Sequence, residues 1–298
     1  MDVRHLELLR ELSVRRTLAA VAEATHRTPS ALSQQLRTAE RELGVPLVVR
    51  DGRGLRLTPE GELLAGAADE VGATLAGVRA RLDELRGEPV GVVRIGSLPS
   101  AGEALLPGLV RALRRTRITL EVEDFDLAEA DYAARTLDAD VVIGHSLTSD
   151  VPVGAEGLVT RVLAREPIDV ALPARHPLAR KERLRPADLV GTRWLGVPVG
   201  YPFDSILVVV EQLIGEPLER VQRLRDNRLN EALVVAGEGL SLLPRFTTRP
   251  RRGLVLRPLT GVRADRAVVA LARADRAARL SVATVLDALA EAGAALDS

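Results

Sequence analysis

The chain contains no cysteine. That excludes disulfides, cysteine-ligated zinc, iron–sulfur clusters and a thiol nucleophile. It has no surplus of either charge: 41 basic residues meet 41 acidic ones. A protein that packages nucleic acid by bulk charge would need a basic excess. Aromatic residues are scarce, at 2%. Lysine occurs once, at Lys181, and the other basic residues are arginines. No run approaches the ~18 uninterrupted apolar residues of a membrane span. The opening residues Met1-Asp2-Val3-Arg4-His5 are charged and lead into no apolar signal core, so a cytoplasmic protein is expected. His5, His26, His145 and His176 fall in different elements, and no metal site is expected. There is no P-loop, nucleophile elbow, His–Glu metal helix or plausible carboxylate pair. Neither an enzyme nor a bound cofactor is expected.

What remains is a chain of 298 residues, 46% hydrophobic and 28% charged. That is the composition of a soluble globular protein with about two domains. The first ~90 residues have helical texture. From Val90 onward short β-branched runs alternate with helical patterns, as in Val90–Ile95, Val141–Ile143, Ile168–Leu172 and Ala267–Leu271. Such alternation argues for α/β units and a largely parallel sheet. Residues 1–60 hold ten arginines and eight acidic residues, a mildly basic balance.

In the amino-terminal part, Val3, Leu6, Leu8, Leu9 and Leu12 form the apolar stripe of a first helix. Thr17 can cap a second, from Leu18 to about Thr25. Thr28 can cap a third, with Pro29 at its first position and Gly44 just past its end. On this third helix Ala31, Leu32, Leu36, Ala39 and Leu43 share one face, with Ser30, Ser33, Gln34, Arg37 and Arg41 opposite. Two helices joined tightly, the second presenting Ser, Gln and Arg, form a helix-turn-helix pattern. Gln can bond adenine bidentately and Arg guanine. Val45–Arg50, Asp51-Gly52-Arg53-Gly54 and Leu55–Thr58 then read as a β-wing whose arginines can meet phosphate or a narrow minor groove. The candidate DNA contacts are Thr28, Pro29, Ser30, Ser33, Gln34, Arg37, Arg50 and Arg53.

Pro59 to about Arg86 reads as one long helix. Leu64, Ala68, Val71, Leu75, Val78, Leu82 and Leu85 are spaced 4, 3, 4, 3, 4, 3. That is a heptad seam suited to pairing two chains. Two heads held about one helical turn apart would read two half-sites of a pseudo-palindromic target.

Three segments carry a resemblance: Ala31-Leu32-Ser33-Gln34-Gln35-Leu36, Glu40–Leu47 and Arg50–Gly61. Residues 3–66 resemble the winged helix-turn-helix of the LysR-type transcriptional regulators, and residues 90–298 resemble the effector-binding region of that family. The resemblance implies a winged helix-turn-helix DNA-binding domain over 1–58, a dimerisation linker over 59–88 and an effector region over 89–298. That last region would be periplasmic-binding-protein-like, with one α/β subdomain over about 90–162 and 266–298 and another over about 163–265. The family expectation is a homodimer, further paired into a tetramer, acting on double-stranded DNA and in contact with RNA polymerase. A small effector would lie between the subdomains. Ser97 and Ser100 precede the helix expected at Glu103–Arg114, whose amino end attracts carboxylates, and this favours an anionic effector. A helix-capping role for Ser100 is the alternative. Tyr201 and Phe203 could close over an apolar part of the ligand or plug a local core. Asp226, at the end of a probable strand, and Gly239, in a turn near the cleft, are further candidates; His145 sits where family members can place a cleft residue, a surface or cap role being the alternative. The function expected is a ligand-responsive, sequence-specific transcriptional regulator; a ligand-independent architectural DNA binder and an enzyme using the cleft are the other readings.

Overall fold

The computed structural model describes residues 2–85, 89–125 and 127–296, with the backbone alone for residues 79 and 83–85. The helix end expected near residue 86 and the side chain of residue 85 in the seam lie outside the described set.

The head is built from α1 (Val3–Arg15), α2 (Leu18–Ala24), α3 (Pro29–Leu43), β1 (Val48–Asp51) and β2 (Gly54–Leu57). Its helices start where short-range chemistry starts them. Thr17 Oγ1 accepts from the Ala20 amide at 3.1 Å, and Thr28 Oγ1 from the Ala31 amide at 3.3 Å. Each cap satisfies an amide that the helix leaves open. Pro29 opens α3, and Gly44 ends it at φ +74°. Leu8, Leu9, Leu12, Val21, Leu32, Leu36, Leu47 and Leu57 make the core. Ala31 and Leu43, expected on the inner face, are exposed. Ala31 lies about 100° round the helix from Leu32, too far to share its contact. β1 and β2 form a tight antiparallel hairpin, Asp51 opposite Gly54, with Gly52 at φ +58° in the turn.

α4 (Pro59–Leu85) leaves the head. Gly61 must be glycine, because a Cβ there would lie 2.2 Å from the Leu47 carbonyl oxygen. Further along, Ala65, Ala68 and Ala76 are buried, and a Cβ on Gly72 would come within 2.9 Å of Asp275. This face of small side chains lets α4 lie close against its own chain. The expected seam therefore divides. Leu64 packs on the head core and Ala68 is 1% exposed, whereas Leu75, Val78 and Leu82 stay 46%, 43% and 51% exposed.

The remaining chain runs β3 (Val90–Ser97), α5 (Pro99–Ala112), β4 (Arg117–Asp124), α6 (Tyr132–Arg135), β5 (Val141–Ser146) and the long β6 (Val159–Pro173). Then come β7 (Arg193–Gly196), α7 (Pro202–Ile214), β8 (Glu219–Arg223), α8 (Asn227–Ala236), β9 (Leu240–Pro244) and β10 (Leu254–Pro258). β11 (Asp265–Ala272), α9 (Ala274–Ala277) and α10 (Leu280–Ala294) complete it. Strand order is β4-β3-β5-β11-β6-β9-β7-β8, with β10 also on β6. The first lobe centres on Leu105, Val141, Ile143, Val268 and Leu289, and the second on Trp194, Ile206, Val210 and Leu242.

The sheet is not largely parallel. β3 pairs in parallel with β4 and β5, and β7 with β8 and β9, but every pair made by β6 or β11 is antiparallel. The reason is connectivity: β6 carries the chain out to the second lobe and β11 brings it back. β6 runs unbroken through the expected 162/163 boundary. It pairs with β11 as far as Pro167 and with β9 from Ile168 onward, so the lobes part at that point.

Candidate functional site

Two surfaces carry chemistry. The first is the outer face of the head. Thr28, Pro29, Ser30, Gln34 and Arg37 are exposed and Ser33 is half-buried. Arg50 and Arg53 are exposed on the hairpin. The two neighbouring glutamines divide their work. Gln35 donates from Nε2 to the Arg4 carbonyl at 2.5 Å and accepts from Arg27 at 2.7 Å, so it braces the head. Gln34 makes no side-chain hydrogen bond, and Arg37, Arg50 and Arg53 form no ion pair, among the described residues. Exposed guanidiniums without an ion pair and an unspent amide can meet phosphates and base edges.

The second is a cleft of 470 Å³ between the two lobes. Its floor is set by Arg266 and Glu166, directly opposite each other on β11 and β6. Both are 1% exposed and their charged atoms are 2.6 Å apart. A buried charge persists only when paired and hydrogen-bonded, and both conditions hold. Glu166 Oε1 accepts from the Phe246 and Thr247 amides at 2.6 and 2.7 Å. Arg266 donates to His145 Nδ1 at 3.0 Å, to Thr247 Oγ1 at 3.1 Å and, more weakly, to Ser100 Oγ at 3.4 Å. The pair thus holds groups from both lobes at the point where the lobes part.

Burial, and then the Arg266 charge, push the His145 pKa well below 6.5, so its ring is neutral. A guanidinium only donates, so Nδ1 must accept and the ring proton sits on Nε2. The His145 and Phe203 rings meet from opposite lobes, centroids 5.7 Å apart. The Arg225 guanidinium lies 5.0 Å over the Tyr201 ring. Glu103 of α5 bridges to Arg228 of α8 at 2.6 Å and to Arg249 at 2.7 Å, which ties the lobes at the cleft mouth.

Of the residues singled out from sequence, Ser100, Tyr201, Phe203 and Asp226 line the cleft, as does His145. Two do not. Ser97 is buried beneath α5, where its Oγ donates to the Leu98 carbonyl at 3.0 Å. Gly239 packs against β7: a Cβ on it would lie 3.0 Å from the Arg193 carbonyl oxygen. The helix α5 begins at Pro99, ahead of the expected Glu103, and the capping position is Leu98. Ser100 is therefore inside the first turn and does not cap it. Asp226 does cap: it accepts from the Arg228 and Leu229 amides at 2.7 and 3.3 Å. Sequence reasoning missed Arg266, Glu166 and Thr247. The available signal was faint: a charged residue within each of two largely apolar strands.

A winged head with an exposed polar helix face, joined to two lobes around a cleft, is the architecture of a ligand-responsive DNA-binding transcriptional regulator. Residues 86–294 match the LysR substrate binding domain, and residues 3–62 the bacterial regulatory helix-turn-helix protein of the lysR family. The chain belongs to the LysR family of regulators. It is 28% identical over 260 residues to the transcriptional dual regulator GltC of Bacillus subtilis, covering 84% of each chain. It is 29% identical over 256 residues to the DNA-binding transcriptional dual regulator OxyR of Escherichia coli, covering 85% of this chain and 82% of that one. Among solved structures, a full-length OxyR variant from Pseudomonas aeruginosa matches with a TM-score of 0.68 at 23% identity, over 97% of this chain and 94% of that one. Full-length CbnR complexed with target DNA matches with a TM-score of 0.55 at 18% identity, over 98% of this chain and 100% of that one. These structural likenesses speak for the fold.

Proposed function

We propose that this LysR-type regulator reads a double-stranded operator through Ser30, Ser33, Gln34 and Arg37, with Thr28 and Pro29 at the helix start and Arg50 and Arg53 on the wing. The single observation that carries this is the unpaired state of Arg37, Arg50 and Arg53 beside an unspent Gln34, among the described residues. Leu75, Val78 and Leu82 then supply the strip through which two chains pair, and a dimer of such dimers is the working assembly. The target is a pseudo-palindrome. The regulator acts in the cytoplasm, where RNA polymerase is its downstream partner, and it performs no catalysis of its own.

A small anionic group of the effector enters the cleft at Ser100, His145 and Thr247. The amino end of α5 and the Arg266 guanidinium favour negative charge there. Binding alters lobe closure only to the extent that the ligand prefers one closure over another. Some relatives are named hydrogen peroxide-inducible genes activators. A response to peroxide through cysteine oxidation is closed to this chain, which has no cysteine to oxidise.

Footprinting on the promoter-proximal DNA tests the reading. Two protected half-sites about one helical turn apart are expected, with the footprint changing length or pattern when effector is added. Protection of one isolated half-site, or promiscuous binding that no ligand alters, contradicts it.

A further inference from the structure

The cleft is not charged as a receptor for a simple anion would be. Its described lining includes four carboxylates and three guanidiniums. Arg266 is committed to Glu166, Arg228 to Glu103, which also holds Arg249, and Arg225 lies over the Tyr201 ring. Asp226 is engaged as the cap of α8. Two lining carboxylates remain without an ion pair among the described residues: Asp124, at the end of β4 in the first lobe, and Glu231, in α8 of the second. Burial pushes the Glu231 pKa up, Glu103 and Asp226 push the same way, and Arg251 and Arg228 pull against them. A carboxylate in that setting gains from a cation. The floor offers the opposite chemistry: the Ser100 and Thr247 hydroxyls and the His145 Nε2–H are donors lining the same cavity.

We infer that the effector is a zwitterion of the amino-acid class, its carboxylate on the donor floor and its ammonium against Glu231 and Asp124. The inference rests on the reading of the cleft as the effector site. A dicarboxylate of matching length would set its second charge against two unpaired carboxylates. A simple amine would leave the floor donors unfilled, and buried donors without partners are costly. Tyr201 and Phe203 leave an apolar wall for the ligand's side chain. One ammonium that meets carboxylates from both lobes binds the closed cleft better than the open one, which is the differential affinity a ligand-driven switch requires.

The test uses the full chain, calorimetry and thermal shift at pH 7. The probes are the common α-amino acids, mono- and dicarboxylates of matched length, and simple amines. Binding confined to amino acids is expected. Glu231→Gln and Asp124→Asn should each weaken it about tenfold or more, the scale of losing one charged hydrogen bond. Glu231→Gln should also raise affinity for the matched dicarboxylate. Both positions are at least partly exposed, so either variant carries the test if the other fails to fold. Binding of a dicarboxylate to the unaltered protein as tightly as any amino acid overturns the inference. So does unchanged amino-acid affinity in both variants. If carboxylates bind and amino acids do not, the zwitterion assignment falls and the effector cleft stands; if no probe binds, both fall.

Discussion

Arginine does opposite jobs at the two ends of this molecule. On the head, Arg37, Arg50 and Arg53 are exposed and held by no described carboxylate. In the cleft, Arg266 is 1% exposed and bonded to Glu166, His145 and Thr247. An exposed, unpaired guanidinium contributes little to folding and is free to join a polyanion, releasing its counterions. A buried, saturated one is part of the structure, because removing it strands its partner in a low dielectric. The head therefore leaves its arginines to a polyanionic partner, whereas the base of the cleft spends its own on the fold.

Arg266→Ala should break the comparison most severely. It leaves Glu166 buried and unpaired, and the effector region should lose about 3–5 kcal/mol, read as a fall in its denaturation midpoint. Arg37→Ala should stay within about 0.5 kcal/mol of the parent in the same assay. Equal losses at the two positions would erase the distinction.

Acid should discriminate the regions next. His145 has a folded pKa below its unfolded value of 6.5, so the unfolded chain binds the extra proton. Its stabilising effect is complete above pH 6.5 and is lost as pH falls below it, at up to about 1.4 kcal/mol per pH unit. His145→Gln should flatten that slope in urea denaturation between pH 7 and pH 5. An unchanged slope would show that other groups carry the acid response.

Smaller effects belong to the head. Thr28→Ala removes the cap of α3 and should cost about 1 kcal/mol of head stability. Arg53→Ala should leave stability alone and reduce the slope of log affinity against log salt by about 1. A larger fall in selectivity than in salt slope would make Arg53 a reader of bases.

The same contrast explains what the sequence could reveal. The head was legible because its determinants are local: Thr17, Thr28, Pro29 and Gly44 act within a turn of themselves. The heptad spacing of α4 predicts only which residues share a helix face. Spacing does not say which body covers that face, and Ala68 is covered by its own chain. In the cleft, Ser100, Tyr201, Phe203 and Asp226 lie in loops and helix starts that motif order could locate. Ser97 could not be resolved that way, since the choice between cleft and core depends on how α5 sits above its strand. The central ion pair was out of reach for a plainer reason. Arg266 and Glu166 are 100 residues apart, and only the return of β11 alongside β6 makes them neighbours.

The most direct measurement compares the parent with a Gln34→Ala, Arg37→Ala double variant for binding to operator and to scrambled duplex at physiological salt. The parent should prefer the operator by at least about 10³-fold. The variant should lose most of that preference while keeping its melting temperature and its weak binding to scrambled DNA. Full selectivity retained by the folded variant would mean that α3 does not read the bases, and would contradict the account.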